Sequence, residues 1–122
     1  MASYEQKAVD AATAAIQRGH SNASNLRELL IWTTSKPTAP LVNEYFASHL
    51  QDRDLLSHLV EIAMEGEDAG DAPWAAANFI VQFPPDLLKE HRAALEELAS
   101  HPLAYLHVPA NAALAKLAGH AA

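Results

Sequence analysis

The chain has 122 residues, half of them apolar, with 15 acidic against 8 basic side chains and no cysteine. So apolar a composition excludes a disordered chain, and the missing cysteine excludes disulfides and thiolate metal sites. A net charge of −7 with scattered bases argues against a phosphate-tracking surface, so no nucleic-acid partner is expected.

Length alone suits one domain, 1–122, able to bury a core without staples. The first ten residues, Met1 to Asp10, carry charges where a secretory signal needs an apolar run, and no window approaches the roughly 20 apolar residues of a membrane span. The expectation is a soluble, cytoplasmic protein without a membrane partner.

Helix formers dominate and nothing alternates at period two, so the fold class expected is all-α, about seven helices in stacked αα-hairpins or a compact bundle. The first helix spans Tyr4 to Arg18, with Tyr4, Ala8, Ala11, Ala12, Ala15 and Ile16 on one stripe and Gly19 as its stop. A second, from about Asn25 to Thr33, is capped by Ser24 and carries Leu26, Leu29, Leu30 and Trp32. After the turn Thr34 to Pro40, Pro40 opens a third helix, Leu41 to Leu50. Asp52 caps the fourth, whose stripe of Leu55, Leu56, Leu59, Val60 and Ala63 ends near Gly66. Pro73 opens a fifth helix to about Phe83, and Pro84-Pro85 stops it and starts a sixth, Asp86 to Ser100. Pro109 opens the seventh, which stops at Gly119. The candidate core is Phe46, Leu50, Leu56, Leu59, Phe79, Phe83, Leu88, Leu95, Leu98 and Leu114.

Three of these helices align with one another. A register with spacings of 33 and then 34 residues matches Phe46 with Phe79 and Ala113, Ala47 with Ile80 and Leu114, and Leu50 with Phe83 and Leu117. The preceding helices match too, because Asp54-Leu-Leu56 returns as Asp86-Leu-Leu88, 32 residues later. A period near 33 holding two short helices is the mark of hairpins that stack because none buries its apolar face alone. Through these segments, Trp74-Ala-Ala-Ala-Asn78-Phe-Ile80 and Val108-Pro-Ala-Asn-Ala-Ala-Leu114, the stretch Asp54 to Leu117 resembles HEAT-like helical repeats. That resemblance implies a right-handed scaffold that binds macromolecules and has no catalytic residues of its own.

The net charge is local. Residues 54 to 88 hold seven acids and no Lys or Arg, while the rest of the chain is balanced at eight of each. Five of the seven, Glu61, Glu65, Glu67, Asp68 and Asp71, crowd together just before Pro73-Trp74. An acidic segment beside a large aromatic residue has the profile of a docking surface for a basic partner, and the alternative is a solvated linker that keeps the protein in solution. Trp74 reads either as core between hairpins or as an exposed anchor. Glu44, Tyr45 and Asn78 share its surface if the second helices of the hairpins line one face.

Residues able to carry chemistry are present without a motif. Seven histidines are spread so that none stands in a His-x-x-x-His array with further ligands, and no metal site or cofactor is expected. Glu65-Gly-Glu67-Asp68-Ala-Gly-Asp71 lacks the spacing of a calcium loop. No phosphate loop or nucleophile elbow occurs, and Asn22-Ala-Ser24 is more simply a helix cap than a glycosylation acceptor. The expected function is therefore a non-enzymatic protein-binding module. By analogy it resembles a bacterial immunity protein, an inhibitor whose acidic surface occludes the cleft of a basic toxin or effector. An adaptor or chaperone subunit would use the same surface. A helical enzyme or ligand-binding domain would instead use His91 or His49 in a cleft, and a homo-oligomer would form through Trp74 and the Ala-rich first helix.

Overall fold

The computed structural model describes residues 3–65 and 72–121, and every regular element among them is helical. No described helix is long and apolar enough to cross a membrane. The chain divides into two compact units, Met1–His49 and Leu50–Ala122.

In the first unit, α1 (Tyr4–Arg18), α2 (Ala23–Trp32) and α3 (Ala39–Ala47) pack on one another. Helix α1 begins where the Ser3 hydroxyl accepts a hydrogen bond from the Gln6 amide, and ends at Gly19, whose φ of 81° is open to glycine at little cost. Its inner face is Ala8, Ala12 and Ala15, small enough to let a neighbouring backbone come close. Into that face pack Leu26, Leu29 and Leu30 of α2 and Val42 and Phe46 of α3, all fully buried. The cap of α2 is Asn22 and not Ser24, because the Asn22 side-chain oxygen accepts from the amides of both Ser24 and Asn25. Asn25 itself is buried, 8 % exposed. Its amide donates to the carbonyls of Ala15 and Gly19 at 2.8 and 2.5 Å, and its oxygen accepts from Arg18 Nε at 2.9 Å. One polar side chain of the next helix thus bonds two carbonyls at the C-terminal end of α1. Thr38, also buried, donates its hydroxyl to the Trp32 carbonyl at 2.6 Å and closes the α2–α3 turn.

The second unit runs α4 (Arg53–Ala63), α5 (Ala72–Ile80), α6 (Pro85–Leu88), a 3₁₀ turn at Lys89–His91, α7 (Arg92–Ala99) and α8 (Ala104–Ala121). Asp52 caps α4 by accepting from the Leu55 amide at 3.0 Å, and α4 and α5 form the most extensive helix pair of the unit. Helices α7 and α8 make the other large pair, and α5 leans on α8. The core contains Leu55, Leu56, Leu59, Ile80, Phe83, Leu88, Leu95 and Leu106.

Several expected boundaries move. The helix expected over Asp86 to Ser100 is interrupted at Lys89–His91, where His91 takes φ −117° and ψ 21°, outside helical geometry. Pro109 lies inside α8 and does not start it, and Gly119 continues the helix to Ala121. Proline at that position removes one backbone bond, to the carbonyl four residues back. Burial of Leu106, Ala110, Ala113 and Leu117 on one side of α8 offsets the loss. Of the expected core, Leu50 and Leu114 are only half-buried; the other eight residues are buried.

Candidate functional site

Helix α5 has an inverted composition. Seven of its nine residues are buried: Ala72, Pro73, Ala75, Ala76, Ala77, Phe79 and Ile80. The two that face solvent are Trp74 and Asn78, four apart and therefore neighbours on one helical face. A chain selected only to fold would put its largest apolar side chain inside and an alanine outside. Here four alanines go inside, and the indole of Trp74 stays 41 % exposed.

The surroundings of Trp74 follow from chain order. Helix α4 ends at Ala63, the connection to α5 follows, and Trp74 stands in the first turn of α5. Met64, just past the end of α4, is 38 % exposed, so two large apolar side chains flank the same connection. Glu61 on the last turn of α4 and Glu65 beyond it are both exposed, on the same side of the connection as Met64. Glu67, Asp68 and Asp71 lie outside the described residues. The only base beside this stretch on α4, Arg53, is at the opposite end of the helix, where its Nε pairs with Glu90 at 3.0 Å. Along the chain, an exposed Met64 and an exposed Trp74 thus bracket the connection, with the exposed acids Glu61 and Glu65 on either side of Met64 in sequence, a composition suited to a cationic surface that also has apolar character.

Glu44 and Tyr45 belong to the first unit. Glu44 is exposed on α3, whereas Tyr45 is half-buried, its hydroxyl 2.5 Å from His20 Nδ1. Tyr45 also stacks obliquely on His49, ring centroids 4.3 Å apart, and His20 meets His49 edge-on at 5.3 Å. The His49 Nδ1 lies 2.7 Å from the Tyr45 carbonyl, to which it donates. This cluster of two imidazoles and a phenol borders a shallow depression lined by Ile16, Leu41, Glu44, Tyr45 and Ser48. Sequence reasoning missed it: Tyr45 and His49 are one turn apart and readable, but His20 arrives from 25 residues away.

Three other histidines have polar neighbours. His91 Nε2 lies 3.5 Å from the Ser57 hydroxyl on α4, His101 Nδ1 accepts from the Leu103 amide, and His107 Nδ1 donates to the His101 carbonyl. Among the described residues no group of three or more His, Cys, Asp or Glu is placed to hold a metal ion. Neither a protein-family model, nor a curated protein, nor a solved structure matches the chain.

Proposed function

We propose that the protein is a non-enzymatic binding module that holds a basic protein partner on the face around Trp74, in the manner of an immunity or inhibitor protein that blocks a cationic toxin or effector. The observation that carries this reading is the exposure of Trp74 and Met64 where seven acids occur without a base. A tryptophan buries roughly 150–250 Å² when fully covered. The exposed two-fifths of Trp74 therefore offers on the order of 100 Å², worth about 2 kcal/mol to a partner that covers it. The acids add attraction at a distance and select against acidic competitors. An adaptor or chaperone subunit would use the face in the same way.

The experiment is comparative capture from the native host. Full-length wild-type protein and a Trp74→Ala/Glu61→Gln/Glu65→Gln variant are each immobilised, and retained proteins are identified by mass spectrometry. The reading expects a basic protein held by the wild type and lost by the variant. An acidic partner, or one retained equally by both, would contradict it.

A second reading draws on the His20–Tyr45–His49 cluster, whose convergent polar groups and adjoining depression fit a small-ligand site in the first unit. It requires a compound whose thermal stabilisation of the protein disappears in both Tyr45→Phe and His49→Ala.

A further inference from the structure

The apolar and acidic features of the α4–α5 face constrain what kind of cation sits on it. Lysine and arginine carry the same charge and would be attracted alike by the acids between residues 54 and 88. They differ in what they do to an aromatic face. A guanidinium is planar and weakly hydrated, so it stacks on an indole without losing its hydrogen bonds at the edges, whereas an ammonium must give up tightly held water. Trp74 is 41 % exposed, and among the described residues the indole makes no ring contact or hydrogen bond. Asn78, exposed one turn along the same face, adds an amide able to accept from a guanidinium edge, and Glu61 is an exposed carboxylate at the near end of α4.

Resting on the reading of this face as the docking surface, we infer that the partner seats an arginine on the Trp74 ring, so that the site recognises arginine over lysine at equal charge. The acids bring the cationic segment in, and the indole chooses the residue.

Fluorescence anisotropy with dye-labelled hexa-arginine and hexa-lysine peptides, titrated with the full-length chain at low and at physiological salt, tests this. Wild type should bind hexa-arginine about two- to fivefold more tightly than hexa-lysine, the range for a cation over an exposed aromatic ring. In Trp74→Leu the ratio should fall to about one with hexa-lysine affinity unchanged, and Trp74→Phe, which keeps an aromatic face, should retain part of the preference. Glu61→Gln should weaken both peptides alike. Equal binding of the two peptides by wild type, or a preference that survives Trp74→Leu, overturns the arginine inference and leaves the acidic docking reading standing, since that reading needs only salt-sensitive binding of both. Failure of both peptides to bind at low salt overturns the two together.

Discussion

Asn25 should be the most sensitive polar position of the first unit. Its side chain makes three hydrogen bonds, two of them to carbonyls at the end of α1, and it is nearly excluded from water. A net hydrogen bond contributes about 0.5–1.5 kcal/mol, and an acceptor left buried without a partner costs about 1–3 kcal/mol. The bond from Arg18 counts for little, because that guanidinium is exposed and also pairs with Glu28. Asn25→Ala should therefore destabilise by roughly 2–4 kcal/mol, a large part of a typical stability. Asn25→Asp is the sharper test. It keeps the shape and gains a charge facing Arg18, yet it turns a donor into an oxygen facing the Ala15 and Gly19 carbonyls. It should be at least as damaging as alanine. Urea unfolding followed by Trp32 fluorescence in a Trp74→Phe background reports on this unit, since Trp32 ends α2. A loss below about 1 kcal/mol for Asn25→Ala, or a milder effect of Asn25→Asp, would refute the role assigned to this side chain.

Phe79, 5 % exposed on α5, should cost about 3–5 kcal/mol as Phe79→Ala, and a near-normal melting temperature would show that the inner face of α5 is misassigned. Lys116 on α8 donates to the carbonyls of Val81 and Phe83 at 3.0 and 2.6 Å, just past the end of α5. Because the ammonium is only partly buried, Lys116→Met should cost no more than about 1–2 kcal/mol, and a neutral result in chemical denaturation would show that water replaces it fully. Trp74→Leu should change stability by less than Phe79→Ala, since much of the indole is already in water. The reverse order would mean that Trp74 serves the core.

What could be read from the sequence was whatever depends on neighbours within one turn. Gly19 as a stop, Asp52 as a cap and the stripe of α4 are local devices, and they fixed those helices. Periodicity could not orient α5, because a run of alanines beside Phe79 and Ile80 is apolar on every side; whether Trp74 faced in or out depended on which neighbours covered it. The break at Lys89–His91 left no trace either, as Leu87, Leu88, Ala94, Leu95 and Leu98 fit an unbroken helix. Asn25 marks only the start of the second helix in the sequence, and it is the arrival of the α1 terminus that buries it and supplies its partners. Pro109 reads as a helix start in the sequence, yet it lies inside α8, because a proline is tolerated in a helix whose tertiary burial outweighs one lost bond. In the 33-residue register, Phe46, Phe79 and Ala113 are all buried, while Ala47 is exposed opposite the buried Ile80.

The central claim is that a basic partner is drawn in by local acidity and held by Trp74. Stopped-flow association with the partner captured from the host, at two ionic strengths, separates these contributions. Replacing Glu61, Glu65, Glu67, Asp68 and Asp71 by their amides should slow association by about tenfold at low salt, with the gap closing as salt screens the charges, and should leave dissociation nearly unchanged. Trp74→Ala should do the opposite, speeding dissociation at an unaltered association rate. Association by the neutralised variant at the wild-type rate would contradict the claim and reduce the acidic stretch to a solvated connection.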